Sequence, residues 1–378
     1  MANNTAKKVG TLTFHIAHNY GAMLQAYALP KAVESLGHRC EIIHYCFPYI
    51  YKWGHVVRFS DLQETHGLIG GTLRFIKRLL KGTYNPGLQK NKFEHFIYHT
   101  MPLSKTAYHS AAEMQHMDYD AILFGSDQIW NSGLTGGIAT EFVGGFACPP
   151  KTKKIAYAAS CGRSCFNEEE KESYYPLLGS FSALSVREQG LCRSLCEDGF
   201  PAKPVLDPTL LLTKQQWQGL IKARKYKHFG PKKDYLLVYV FDEDPSIYRL
   251  IDSVAKKYNL EVCCIAYAMK DELKKYHVYT DCGPEDFVAL FAGASRVVTT
   301  SFHGTVFSIL FEKPFYCIPH PTLHERTDSL LALLDLTNRN CSADTDIAAM
   351  EAIDWTNISE KLDSHRKESL AFLKEAIG

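Results

Sequence analysis

The sequence predicts a two-domain α/β protein built on parallel sheets, and three observations carry that expectation. Short β-branched runs alternate with longer stretches of helical period, the pattern of strands joined by helical crossovers. At 378 residues the chain exceeds what one hydrophobic core usually supports. Two series of strands flank a long stretch, 208–234, which places a boundary close to Asp207. The expected layout is a Rossmann-like domain over 1–207, a second over 208–353, and an amphipathic helix within 354–378 packed back on the first.

In the first half, strands are expected at 9–14, 40–45, 121–125, 154–160, 183–188 and 204–207. Helices fill the gaps, notably 22–36, where Pro30 predicts a kink, then 168–178 and 188–197. The second series has strands at 234–244, 261–267, 296–301 and 314–318, with helices at 245–258, 285–292, 304–312 and 325–334. Residues 46–118 show no clean period. Within them "LRFIKRLLK" (73–81) sets Arg74, Lys77, Arg78 and Lys81 opposite Leu73, Ile76, Leu79 and Leu80. It reads either as a surface helix covering the core or as a face for an anionic membrane, so peripheral association with the inner membrane surface is one expectation.

Composition narrows the function. Hydrophobic content of 46% and charged content of 22% describe an ordinary globular protein. A net charge of +1 argues against a dedicated nucleic-acid binder. No apolar run approaches a membrane span and the start lacks a signal-peptide core, so a cytoplasmic protein is expected. The 12 cysteines include no C-x-x-C pair, and several sit in apolar runs, which reads as free thiols in a reducing compartment. His320 and His324 have i, i+4 spacing, but Pro319 and Pro321 argue against a helical metal face; no metal is expected.

In parallel α/β sheets ligands bind beyond the carboxyl ends of the strands, so each strand-to-helix seam is a candidate. The first, "TFHIAHNYGAMLQAYAL" (13–29), offers Asn19, Tyr20, Gly21 and Gln25; Asn19 suits a helix cap or a substrate contact equally. The second, "FGSDQIWN" (124–131), sets Ser126, Asp127, Gln128, Trp130 and Asn131 together, an aromatic platform beside polar groups that suits a sugar. The third, "SVRE" (185–188), places Arg187 and Glu188 at a strand end, as an anion clamp or a structural pair. The fourth delivers Ser301, His303, Gly304 and Thr305 to a helix N-terminus, whose unpaired N–H groups favour an anion. His303 can add charge there or move a proton near neutral pH.

Six segments, "NYGAMLQAYAL", "GSDQIWN", "IAYAASCG", "SVRE", "VLDPTLLL" and "TTSFHGTVFSILFEKPF", in this order and spacing, resemble the polysaccharide pyruvyl transferase family. The likeness runs from about residue 9 to about 340. It implies a B-type glycosyltransferase-like fold, two Rossmann-like domains with parallel sheets facing a cleft. It also implies transfer of pyruvate from phosphoenolpyruvate onto two hydroxyls of a sugar, a hexose such as galactose, as a cyclic ketal in a bacterial capsule or exopolysaccharide. The acceptor would be a sugar or a lipid-linked oligosaccharide, phosphoenolpyruvate the co-substrate, and no further cofactor is expected. The resemblance implies donor binding by Arg187 and His303. The family's motif has an arginine where this chain has Ser301, and Arg326 in "HERTDSL" and Arg163 in "SCGRS" are the candidates to replace it.

On that reading His303 is the phosphate-side acid or clamp, Asp127 or Glu188 the general base, and Arg187 the holder of donor carboxylate or phosphate. Trp130, Gln128 and Asn131 would orient the sugar. Two other readings stand beside it: a nucleotide-sugar glycosyltransferase on the same fold, and an inactive glycan-binding member. A nicotinamide dehydrogenase is disfavoured because no G-x-G-x-x-G follows a strand.

Overall fold

The computed structural model describes residues 6–53, 72, 86–225, 230–231, 233–241, 244–267, 269–319, 324–342 and 345–378. The basic segment 73–81 and His320 lie outside the described residues. Two compact units emerge: Met1–Gly54 with Ile97–Leu212 and Thr356–Gly378, and His55–Phe96 with Thr213–Trp355. Each is a parallel sheet covered by helices.

The first sheet has seven strands, β1 (Lys8–Leu12), β2 (Arg39–Tyr45), β3 (Leu103–Tyr108), β4 (Ala121–Phe124), β5 (Lys153–Ala159), β6 (Ala183–Val186) and β7 (Ala202–Pro204). Their order is β3-β2-β1-β4-β5-β6-β7, every pair parallel. All four residues of β4 are buried, as a central strand covered on both faces requires. In this sheet β3 is a strand the sequence did not show. It lies on the edge, and its "LSKTAY" is mostly open to solvent, so no apolar run marks it.

The second sheet has β8 (Tyr235–Tyr239), β9 (Glu261–Ile265), β10 (His277–Tyr279), β11 (Arg296–Thr299) and β12 (Phe315–Cys317), ordered β10-β9-β8-β11-β12 and again all parallel. Leu236, Val238, Ile251, Val254 and Val298 form its core on one side. Phe287, Phe291, Phe307 and Trp217 pack ring against ring elsewhere in this unit. The 12 cysteines are all free. No helix among the described residues is long and apolar enough to cross a membrane.

The unit boundaries differ from those expected. Asp207 does not end the first unit: it caps a short helix, Pro208–Leu211, whose residues are buried and which packs on the first helix, Tyr20–Ser35. The chain therefore leaves at Leu212. Residues His55–Phe96 group with the second unit, not the first. The described reason is Lys92 of the helix Pro86–His95, whose Nζ lies 2.8 Å from Asp286 Oδ2 and 3.7 Å from Asp281 Oδ2. Lys92 and Asp286 side chains are each only 3% exposed, so each needs the other.

The helix Trp355–Ile377 lies on the first unit. Ser369 Oγ accepts from the Leu206 amide at 3.0 Å, Arg366 Nε donates to the Leu210 carbonyl at 2.8 Å, and Phe372 meets Tyr157 at 6.3 Å between ring centroids. Lys153 Nζ donates to the Ala376 carbonyl at 3.2 Å, a cation on the free carbonyls of a helix end.

Beside Asp286, the helix Pro284–Gly293 buries Glu285 in its first turn. A helix N-terminus favours a charged carboxylate, but burial wins and, with Asp286, pushes Glu285 up to about 7, against the pull of Arg224 and Lys92. The unfolded chain then ionises this residue first, so it withdraws stability as pH climbs from about 4.5 through about 7. Glu285→Gln should therefore raise the urea midpoint at about pH 8 and leave it unchanged near pH 4. An equal effect at both would show the carboxyl to be ionised normally.

Candidate active site

Both sheets have a switch point, where successive strands are laid down to opposite sides and the loops diverge. In the first sheet it falls between β1 and β4; in the second, between β8 and β11. Three of the four seams chosen from sequence meet these two points, and the fourth reaches back to one of them.

In the first unit the β1 and β4 loops are tied by one glutamine. Gln25 is fully buried. Its Nε2 donates to Thr13 Oγ1 at 2.9 Å and to the Ala22 carbonyl at 2.8 Å, and its Oε1 accepts from the Ser126 amide at 3.1 Å. Ser126 Oγ in turn donates to the Ala158 carbonyl at 2.7 Å, fixing β4 to β5. Gly125 permits this: its φ is +129°, and a Cβ there would stand 2.1 Å from the Tyr157 carbonyl oxygen. Asp127 follows with a left-handed φ of +68°.

Arg187, at the end of β6, is the centre of charge. Its side chain is 3% exposed. Nη1 donates to Asp207 Oδ2 at 2.7 Å, Nη2 lies 3.6 Å from Asp127 Oδ1, and Nε lies 3.9 Å from Glu188 Oε1. Burial alone would lower the guanidinium's pKa, but Asp207, then Glu188 and Asp127, raise it above the usual value. Three carboxyl groups thus lie around one guanidinium. Asp207 also accepts from Thr209 N and Oγ1 through Oδ1, and Glu188 Oε1 accepts from Ser160 Oγ.

These contacts correct several roles expected from sequence. Arg187 is buried, with Nη1 on Asp207 and its other nitrogens beside Asp127 and Glu188. Glu188 is fully buried and holds Ser160, which leaves Asp127, at 14% exposure, as the acid of the cluster that reaches the surface. Trp130 is fully buried, its indole N–H donating to the Phe142 carbonyl at 2.9 Å, so its ring is core and no sugar platform. Asn131 caps the short helix Ser132–Thr135 through Gly133 N and donates to Gln128 Oε1 at 2.8 Å. Asn19 caps the first helix by accepting from the Ala22 amide at 3.1 Å, while Tyr20, Gly21, Gln25 and Ser126 are buried supports. Arg163, 41% exposed, pairs with fully buried Glu170, which also holds Ser132 N and Oγ and the Asn167 amide.

In the second unit, β11 ends in a turn that positions the N-terminus of the helix Phe302–Leu310. Ser301 caps it, accepting from the Gly304 amide at 3.4 Å, and no acidic residue stands in the first turn. Thr299 Oγ1 donates to the Tyr239 carbonyl at 2.7 Å and accepts from the Ser301 amide at 3.0 Å, so β8 and β11 are locked at the switch point. Gly304 is required: a Cβ there would lie 2.2 Å from Thr299 Oγ1. Thr305 turns inward, donating to the Ser301 carbonyl at 3.2 Å, and is core. His303 packs edge-on against Phe302 at 5.1 Å, and the Arg326 guanidinium carbon sits 5.6 Å from the centre of that same ring. Arg326, one of the two arginines named as replacements at Ser301, stands at this turn. No group of three metal-ligating side chains is present among the described residues.

The family model for polysaccharide pyruvyl transferase matches residues 19–321, well over half of the chain and both switch points. The chain belongs to the polysaccharide pyruvyl transferase family. Members of this family are transferases that act in polysaccharide biosynthesis, and the two-sheet architecture described above is the fold in which this one carries the family motifs. No curated protein matches the chain. Among solved structures it is similar to a UDP-GlcNAc 2-epimerase from Neisseria meningitidis bound to UDP-GlcNAc, 12% identical over 98% of this chain and 94% of that one, with a TM-score of 0.48. A second is the Methanocaldococcus jannaschii UDP-GlcNAc 2-epimerase, 12% identical over 96% and 92%, at 0.45. A third is the E. coli ADP-heptose heptosyltransferase II, 11% identical over 96% and 99%, at 0.40.

Asp207→Ala should strip Arg187 of its nearest carboxylate and cost about 3–5 kcal/mol in urea unfolding of this pyruvyl transferase family member. A loss below about 1 kcal/mol would show the pair to be surface-like.

Proposed function

We propose that this family member takes phosphoenolpyruvate as donor and joins pyruvate to two hydroxyls of a hexose as a cyclic ketal. The observation that carries this reading is the contrast between the two switch points. One offers a partly exposed carboxylate, Asp127, held in place by a buried guanidinium. The other offers a helix N-terminus without acids, beside His303 and Arg326. The first suits an acceptor that must lose hydroxyl protons; the second suits a multiply charged phosphate ester.

The reaction runs in two steps. A sugar oxygen bonds to C2 of the donor while C3 gains a proton and becomes a methyl group. The phosphate leaves with the C2–O bonding pair, and the second sugar oxygen takes its place at C2. The two hydroxyl protons balance the one placed on carbon and the one carried off with phosphate. Asp127 is assigned the acceptor's hydroxyl proton. Arg187 is a positioning residue that aims Asp127. Ser301, the Gly304 amide turn, His303 and Arg326 are assigned the donor's phosphate and carboxylate.

A lipid-linked glycan pool incubated with the protein and phosphoenolpyruvate should gain the mass of pyruvate less water, with release of phosphate. Asp127→Asn and His303→Gln should each lower that rate by about a hundredfold or more at unchanged circular dichroism. Wild-type rates in either variant would remove that residue from the scheme. Binding of a nucleoside diphosphate by calorimetry, with none of phosphoenolpyruvate, would replace the reading with glycosyl transfer.

A further inference from the structure

Three side chains at the carboxyl edge of the first sheet are used by none of the chemistry above. His15 follows β1, His44 is near the end of β2, and Cys46 is the first residue beyond it. His44 and Cys46, two apart on an extended chain, point to the same face. His15 Nδ1 lies 3.2 Å from the Thr13 carbonyl, His15 Nε2 lies 2.8 Å from His44 Nδ1, and His44 Nε2 lies 3.8 Å from Cys46 Sγ.

Chemistry fixes where the protons sit in this row. A carbonyl only accepts, so His15 Nδ1 carries a hydrogen. Burial and the neighbouring His44 hold His15 down to about 3, so the ring is neutral and its Nε2 is a lone pair. That lone pair takes the hydrogen of His44 Nδ1. Burial, with His109 adding to it, also lowers His44, so its Nε2 is a lone pair too. It faces the Cys46 thiol, which can donate to it. The groups around His44 leave this order intact. Ser104 Oγ accepts from its backbone amide at 3.0 Å, Tyr98 meets the ring edge-on at 6.0 Å, and His109 gives its own amide to Glu113 Oε2 at 2.8 Å.

We propose that Cys46, His44 and His15 form a nucleophile, base and orienter, and that Cys46 is a thiol site for small carbon electrophiles. On attack, Cys46 Sγ bonds to the electrophilic carbon, the leaving group departs with its electron pair, and the thiol proton passes to His44 Nε2. His15, anchored on Thr13, keeps the hydrogen of His44 on Nδ1 and the ring aimed at sulfur. The thiol is partly exposed, which gives a small electrophile access. Burial pushes the Cys46 thiol above its usual value, so a thiolate formed without help is scarce at neutral pH, and His44 Nε2 is the lone pair that faces the sulfur.

Iodoacetamide tests this on the whole protein, with the rate at each cysteine followed by peptide mass spectrometry between about pH 5.5 and 9.5. In each alkylation the C–I bond breaks and iodide leaves. Cys165 and Cys196, both exposed, serve as internal references whose rates should keep rising with pH. Cys46 should instead reach its plateau near neutrality, where His44 has lost its proton. His44→Gln should lower the Cys46 rate at pH 7 by about a hundredfold and restore the steep climb. The proposal is overturned if unaltered Cys46 climbs in parallel with Cys165 and Cys196, or stays unmodified while they react. The unaltered protein's own profile decides the matter even where the variant does not fold.

Discussion

One buried guanidinium organises the ligand-binding edge of the first unit. Arg187 gathers Asp127 from beyond β4, its neighbour Glu188 and Asp207 from beyond β7. Without that cation, acids brought so close in a dry setting would repel, and some would take up protons to survive. The same charge explains how Asp127 tolerates a left-handed backbone: its side chain is drawn to Arg187 and its main chain bridges to Ala159.

The second unit reaches its electrostatics with different material. Its charge comes from peptide dipoles at the start of the helix Phe302–Leu310, with an aromatic ring shared by a histidine and an arginine. Here the close approach at Gly304 does what the ion cluster does in the first unit: it sets the geometry of the turn. The family motif is therefore kept in shape although Ser301 stands where an arginine is implied, because a serine is a good helix cap.

Much of the fold was legible because buried parallel strands write themselves as apolar runs. β1, β2, β4, β5, β6, β8, β9, β11 and β12 each appear in the sequence within a few residues of their observed limits. β3 and β10 do not, since these two edge strands carry mostly half-exposed or exposed side chains and so show no apolar run. The seams were legible for the same reason, as polar residues between apolar runs. Their internal roles were not. "GSDQIWN" reads as a display of polar and aromatic groups, yet Trp130 points into the core and Asn131 and Ser126 are spent on backbone. Periodicity locates a side chain along the chain but not its direction in a loop, where no regular repeat fixes it. Arg187 was found by its position at a strand end, but its partner Asp207 lies twenty residues on, beyond another strand.

The first unit is discontinuous: its chain leaves at Leu212 and returns at Thr356 to add the long helix that holds Leu206, Leu210 and Lys153. On the ribosome, which delivers the chain from its start, the part of the first unit around Tyr157, Leu206 and Leu210 must wait for this helix until the whole of the second unit has been made. That second unit closes on residues already synthesised. The order of maturation is thus the reverse of the order of reading, and a nascent chain halted near residue 350 would present a finished later half beside an unfinished earlier one.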